Sequence, residues 1–253
     1  MKKPLGRRIE DKFKNAFLKN RPRVTYYSDG MGVKNKNLGF MNDPEFKKAW
    51  DFSVKGNLDG WSGNVPDLRW RVHVCVWAAQ NCMKIEGDFV EFGVHTGILS
   101  MAVCHYLNFG SSNKKMYLYD TYEGIPTHKL TGEDKEFAKN YNDILYFDVY
   151  ETTKKNFSSY PNVILVKGEL PASLEQDSPD RISYVSIDLN NADFEIETIS
   201  AVWERISKGG HIVLDDYAFP GHEKQYEQWN KFAQNKGTSI LTVPTGQGLI
   251  IKA

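Results

Sequence analysis

The chain has 253 residues, with 32 Lys+Arg against 32 Asp+Glu, so its formal net charge is zero and its pI is near 7. That balance excludes the strongly basic footprint of a nucleic-acid binder, and 13% aromatic residues exclude a chain that stays unfolded. Hydrophobic residues at 41% and charged residues at 25% suit a protein with a full core, in one large domain or barely two.

The first two dozen residues are basic, with nine Lys/Arg from Lys2 to Arg23 against Glu10 and Asp11. Ile9, Phe13 and Phe17 recur every four residues and predict a short amphipathic helix with a basic outer face. Such an arm is expected to dock on its own domain or on a second subunit; a membrane-surface or polyanion role is the alternative. The opening MKKPLGRRIEDKF lacks the apolar core of a signal peptide, and no run of about 20 mostly apolar residues follows. No stable membrane insertion is therefore expected. Cys75, Cys82 and Cys104 form no CxxC pair, which points to a reducing, cytoplasmic setting. A Gly/Asn-rich stretch, Ser28 to Phe40, and a weak helical pattern at Pro44 to Trp50 complete an N-terminal arm, residues 1–65. Residues 66–253 read as the main domain.

Asp67 is expected to cap a helix running to about Met83, with Val72, Val76 and Ala79 on one side. Short apolar runs then alternate with helical stretches. The predicted strands are Asp88–Phe92, Met116–Tyr119, Val163–Val166, Tyr184–Ile187 and His211–Leu214. A helix is predicted from Glu195 to Ser207, ended by Lys208-Gly209-Gly210. Ser239–Val243 and Leu249–Lys252 flank Pro244-Thr245-Gly246-Gln247-Gly248 and read as a hairpin. The pattern implies an α/β fold whose mainly parallel sheet ends in an antiparallel hairpin.

In such a sheet ligands bind beyond the carboxyl ends of the strands. Four predicted strands run into acids at that edge: Glu91, Asp120, Asp188 and the pair Asp215-Asp216. The turn Glu91-Phe92-Gly93-Val94-His95-Thr96-Gly97 is an ExGxxxG pattern. It lacks the middle glycine of the dinucleotide fingerprint and places a carboxylate where a pyrophosphate would be repelled. A nucleoside ligand carrying positive charge and no phosphate fits better, and S-adenosylmethionine is such a ligand. Asp120, 23 residues past Gly97, is placed to accept ribose hydroxyls, and Tyr122 either lies on the adenine face or packs in the loop. Asp188, Asp215 and Asp216 offer the oxygen ligands that a hard cation such as Mg²⁺ takes; a bound dication would anchor and acidify a substrate hydroxyl.

The runs Gly87-Asp88-Phe89-Val90-Glu91-Phe92-Gly93-Val94, Asp120-Thr121-Tyr122-Glu123-Gly124-Ile125-Pro126, Ser186-Ile187-Asp188 and Gly209-Gly210-His211-Ile212-Val213-Leu214-Asp215-Asp216-Tyr217 resemble the macrocin O-methyltransferase (TylF/MycF-like) family of class I S-adenosylmethionine-dependent methyltransferases. The resemblance spans roughly Asp67 to the C-terminus. It implies a Rossmann-like, seven-stranded methyltransferase sheet and cofactor binding by Glu91, Gly93 and Asp120; Thr96, Gly97, Thr121 and Tyr122, in the same two turns, are further cofactor-binding candidates. It further implies Mg²⁺ on Asp188, Asp215 and Asp216, and a homo-oligomer whose arms help shape the substrate site. Three departures stand out. Asn190 replaces the second Asp of the family's IDxDLY pattern, His95-Thr96 follows Gly93-Val94 where Trp and a basic residue are usual, and Asn140 falls where some members carry a histidine base. Catalytic candidates are therefore Asp188, His128 and His222; His73, His105, His211 and His95 are expected to have packing or supporting roles. The implied acceptor is a hydroxyl of a sugar, glycosylated metabolite or polysaccharide. A catechol-type phenol, a non-catalytic cofactor-binding module and a nucleotide oxidoreductase remain the alternatives.

Overall fold

The computed structural model describes residues 24–253, so the helix expected around Ile9, Phe13 and Phe17 lies outside the described residues. Val24–Ser28 (β1) and Met31–Lys34 (β2) pair as an antiparallel hairpin where the sequence reading expects only a Gly/Asn-rich connection. The cause is Asp29-Gly30. Their φ values of +53° and +67° are those of a tight two-residue turn, for which Asp-Gly is a preferred pair. A short turn of helix, Gly39–Asn42 (α1), leads into Pro44–Asn57 (α2), which runs a full two turns beyond the expected pattern. Asp43 caps α2 by accepting from the Phe46 amide at 2.8 Å, and Pro44 sits at the first helical position. Phe46, Ala49, Ser53 and Asn57 form its buried stripe.

Arg69–Cys82 (α3) buries Val72, Val76 and Ala79 as expected, but it starts two residues after Asp67. Leu68 holds the cap position, while the Asp67 carboxylate accepts from the Arg69 guanidinium at 2.8 and 2.6 Å. The strands Asp88–Phe92 (β3), Met116–Asp120 (β4), Val163–Lys167 (β5), Ile182–Ile187 (β6) and Ile206–Leu214 (β7) are all parallel. Leu241–Thr242 (β8) and Gly248–Ile251 (β9) add the antiparallel end, giving the order β5-β4-β3-β6-β7-β9-β8. The remaining helices are Ile98–Tyr106 (α4), Gly132–Ile144 (α5), Tyr150–Phe157 (α6), Ala192–Val202 (α7) and Glu223–Asn235 (α8).

A further predicted boundary differs. The helix expected to run to Ser207 ends at Val202, a 3-10 turn covers Trp203–Arg205, and Gly209-Gly210 lies inside β7. Ile206 and His211 pair with Ile182 and Tyr184, so β7 carries extra residues between these partners and bulges. Gly209 takes φ +80°, and a Cβ on Gly210 would come within 2.9 Å of the Ser183 and Ser207 carbonyl oxygens. The glycine pair makes a bulge rather than a helix cap.

Alternation along the strands sends Phe89, Leu118, Tyr184 and Val213 to the face covered by α2, α3 and α4. Val90, Tyr119, Val185 and Ile212 go to the opposite face, against Ile199 of α7 and Trp229 of α8. β4 and β5 lie on one side of β3, and β6 and β7 on the other. The chain therefore changes direction between β3 and β6, which opens a crevice at their carboxyl ends. Among the described residues, no helix is long and apolar enough to cross a membrane.

Candidate active site

A cavity of about 490 Å³ occupies that crevice. Period-2 alternation turns Glu91 toward α4 rather than toward the α7–α8 face, and it is only 3% exposed. The Ser100 hydroxyl donates to it. Burial, and then the charges of Asp215 and Asp120, hold the Glu91 carboxyl well above the ordinary range. The next turn passes hard against the end of β6: Gly93 has φ +84°, and a Cβ there would lie 1.8 Å from the Asp188 carbonyl oxygen. Only glycine allows that approach.

Asp120 ties the turn down. Its Oδ2 accepts from the amides of Val94 at 2.6 Å and His95 at 2.8 Å, and its Oδ1 accepts from the amide of Tyr122 at 2.7 Å. The Thr121 hydroxyl donates to the Gly124 carbonyl at 2.6 Å and lies 3.3 Å from Oδ1, and Asp120 lines the cavity. Tyr122 supports the wall from the core: its ring is 1% exposed and its hydroxyl donates to the Leu118 carbonyl at 2.9 Å. Ile125, Phe147, Gly168, Glu169 and Leu170 complete this half of the cavity. Carboxylates and apolar walls, with no Lys or Arg at the turn, suit ribose hydroxyls and a cationic sulfonium rather than a phosphate.

Thr96 and Gly97 depart from expectation, since neither lines the cavity. The Thr96 hydroxyl faces the other way and donates to Asn57 Oδ1 at 2.5 Å. Gly97 begins α4 with φ +86°, and the Phe157 ring fills the space of its missing Cβ, 2.5 Å away.

The other half of the cavity is acidic. Asp188 follows β6, Asp215 and Asp216 follow β7, and one carboxylate oxygen from each lies within 4.8 Å of the others. Burial, with the charges of Asp216 and Asp215, raises the Asp188 carboxyl well above the ordinary range. Burial and Asp215 push Asp216 up to about 6. An all-oxygen donor set with crowded negative charge is what a hard dication would relieve, so these residues fit one. Asp215 is held from both sides: Gln247 Nε2 donates to its Oδ1 at 2.8 Å and Arg71 Nη1 to its Oδ2 at 2.6 Å. The Thr245 hydroxyl donates to Gln247 Oε1 at 2.9 Å, which fixes the direction of that amide. Asn190, at φ +54°, donates through Nδ2 to Asp188 Oδ1 at 3.0 Å and to the Tyr146 hydroxyl at 3.3 Å. The departure from the family's Asp thus replaces a like charge beside Asp188 with a donor.

The two candidate bases separate. His128 is 67% exposed beside Glu169, at 3.4 Å, and does not line the cavity. His222 does line it, with Nδ1 4.0 Å from Asp216 Oδ2 and 2.7 Å from Gln225 Oε1. Gln225 gives its Nε2 to Glu195 at 3.3 Å, and Trp229 gives its indole N–H to the same carboxylate at 2.7 Å. With its amide oriented in this way, Gln225 accepts from His222, which assigns the proton to Nδ1 and leaves Nε2 its lone pair.

Asp29, Arg71, Tyr146 and Gln247 escape the sequence reading. Arg71 had a signal: it lies one turn before Cys75 on the buried side of α3, where an unpaired charge is not tolerated. Gln247 had none beyond being a polar residue between two loop glycines.

Residues 71–242 match the macrocin O-methyltransferase (TylF) family. A curated relative is the 8-demethyl-8-(2,3-dimethoxy-alpha-L-rhamnosyl)-tetracenomycin-C 4'-O-methyltransferase of Streptomyces olivaceus, 24% identical over 144 residues, which are 53% of this chain and 54% of that protein. The chain thus spans about half the length of the curated relative it matches. Among solved structures, the O-methyltransferase NovP is similar with a TM-score of 0.65 at 16% identity, covering 82% of this chain and 99% of NovP. The calicheamicin methyltransferase CalS11 follows with a TM-score of 0.53 at 14% identity, over 86% of this chain and 94% of CalS11. These likenesses agree on the fold, a mainly parallel Rossmann-like sheet with a terminal antiparallel hairpin. With the match covering the whole of the acid-lined edge, the chain belongs to the macrocin O-methyltransferase (TylF) family of S-adenosylmethionine-dependent methyltransferases.

Proposed function

We propose that this protein transfers a methyl group from S-adenosylmethionine to a hydroxyl of a sugar on a glycosylated metabolite or polysaccharide, assisted by a divalent cation such as Mg²⁺. The observation that carries the reading is that one cavity joins the cradle of Glu91, Gly93 and Asp120 to the cluster of Asp188, Asp215 and Asp216. The curated relative named for methylation of a rhamnosyl tetracenomycin supports the acceptor class.

The cofactor supplies an electrophilic methyl on a sulfonium, and a dication on the acid cluster would polarise the acceptor hydroxyl. The chain does the rest. Asp120 holds the ribose, and the Glu91 side chain closes the floor of the cradle. Asp188, steadied by Asn190, orients the acceptor oxygen toward the methyl carbon. His222 Nε2 receives the hydroxyl proton as the new O–C bond forms and the C–S bond breaks, leaving the neutral thioether. Alignment of this kind contributes up to about 7–11 kcal/mol in favourable cases.

Seven carboxyl groups and one guanidinium, Arg71, line the cavity among the described residues, a surplus of acid that suits a cationic cofactor and a dication. Asp29 of the N-terminal hairpin lines the same cavity, which supports a substrate-binding role for the segment before α3.

The test is methyl transfer from isotopically labelled S-adenosylmethionine to a rhamnosylated aglycone, with and without EDTA. Transfer that EDTA stops and Mg²⁺ restores is expected. Cofactor binding without transfer to any sugar or catechol hydroxyl would contradict the reading.

A further inference from the structure

Arg71 is the single Lys or Arg among the described residues lining the cavity, and its side chain is only 14% exposed. It faces acids on two sides. Toward the hairpin it forms a bidentate pair with Asp29, Nε to Oδ2 and Nη2 to Oδ1, both at 2.8 Å. Toward the sheet its Nη1 meets Asp215 Oδ2 at 2.6 Å and lies 3.8 Å from Asp216 Oδ1. The Phe219 ring closes a third side, 4.3 Å from the guanidinium carbon. The fork–fork geometry belongs to Asp29, and bidentate pairs of this kind are the stronger ones.

The arrangement has an electrostatic consequence for the three-carboxylate cluster. With Asp29 in place, the guanidinium divides its charge between Asp29 and the Asp215 carboxylate that it also contacts, so the cluster keeps more of its negative charge for a cation. Without the Asp29 charge, Asp215 and Asp216 are its only acid partners and it compensates them in full. A unit positive charge so close to a dication site is strongly unfavourable for the dication in partly buried surroundings. The turn that carries Asp29 also needs a residue tolerant of φ +53°, so one position both shapes the hairpin and supplies the charge.

We propose that Asp29 is a positioning residue that sets the affinity of the Asp188–Asp215–Asp216 cluster for a divalent cation by holding Arg71 in its bidentate pair, and so couples docking of the N-terminal hairpin to cation binding. The proposal rests on the reading that this cluster takes a dication.

The experiment is a Mn²⁺ titration of the full-length protein, followed by electron paramagnetic resonance of the free ion. It compares the wild type with Asp29→Asn, Asp29→Glu, Arg71→Met and the Asp29→Asn/Arg71→Met double variant. Asparagine also tolerates positive φ, so Asp29→Asn preserves the turn, and circular dichroism verifies that each variant is folded. Asp29→Asn is expected to weaken Mn²⁺ binding roughly tenfold or more. Asp29→Glu keeps the charge and is expected to bind close to wild type. Arg71→Met is expected to bind at least as tightly as wild type, and the double variant to recover most of the loss. Unchanged affinity in Asp29→Asn, or a double variant as weak as Asp29→Asn, overturns the proposal and leaves the cation reading standing. No Mn²⁺ binding by the wild type overturns the cation reading itself, and the proposal with it.

Discussion

Replacing Gly93 by alanine is the sharpest single perturbation of the site. A left-handed backbone costs an L-residue about 1–2 kcal/mol, and the φ of +84° keeps Gly93 in that region. The new Cβ would also lie 1.8 Å from the carbonyl oxygen of Asp188. That neighbour is backbone, hydrogen-bonded within the β3–β6 ladder through the Asp188 amide and the Phe92 carbonyl at 2.8 Å, so no rotamer change can relieve the clash. Overpacking of this kind adds about 1–3 kcal/mol. The combined loss of about 2–5 kcal/mol corresponds to a fall in Tm of roughly 5–15 °C for a chain of this size. The strain is local to the seam between the cofactor cradle and the acid cluster. Gly93→Ala is therefore also expected to weaken S-adenosylhomocysteine binding at least tenfold, about 1.4 kcal/mol, measured by isothermal titration calorimetry on protein still folded at 15 °C. A variant with wild-type Tm and wild-type affinity would refute the reasoning, because it would mean that the turn does not press on β6.

Other consequences concern proton-bearing groups and the walls. Burial raises Glu195 from 4.5 to about 7. The native state therefore holds this proton where the unfolded chain does not, and the stability it contributes is full below about pH 4.5 and lost as pH rises through about 7. A shift of that size is worth about 3 kcal/mol, so urea unfolding of Glu195→Gln should show a shallower decline between pH 5 and pH 8 than the wild type; parallel declines would contradict the assignment. His222→Ala should lower the rate of methyl transfer about 100-fold, whereas His128→Ala, altering an exposed side chain outside the cavity, should leave it within twofold. Trp229, fully buried, fills the core between α7 and α8 and donates to Glu195, so Trp229→Ala should cost about 3–5 kcal/mol in chemical denaturation. Gln247→Ala should reduce Mn²⁺ affinity by freeing the Asp215 carboxylate from its 2.8 Å anchor, with little change in S-adenosylhomocysteine affinity.

Much of this site is visible in the sequence because strands that end at one sheet edge announce what stands there. β-rich runs ending in Glu91, Asp120, Asp188 and Asp215-Asp216 give both the parallel sheet and the acid-lined crevice. Side-chain direction at turns is less legible. Thr96 and Gly97 follow the same glycine turn as His95, yet the left-handed residues at Gly93, His95 and Gly97 rotate Thr96 toward α2. Residues joined by long-range ion pairs are the least legible. Asp29 and Arg71 are 42 positions apart, Arg71 and Asp215 are 144 apart, and no local period links them. The Asp29-Gly30 pair did carry a hairpin signal, which the surrounding glycines and asparagines masked. Gly209-Gly210 has the composition of a helix stop, and only the pairing of β7 with both β6 and β9 reveals a bulge.

One cavity is expected to hold both cofactor and cation. A crystal structure of the protein with S-adenosylhomocysteine and Mn²⁺, recorded at the manganese edge, tests this directly. The predicted result is an anomalous peak among Asp188, Asp215 and Asp216, with the ribose on Asp120 and the amino-acid end of the ligand over Glu91. A nucleoside bound away from Asp120, or a cavity with ligand present and no anomalous peak at the three carboxylates, would contradict it.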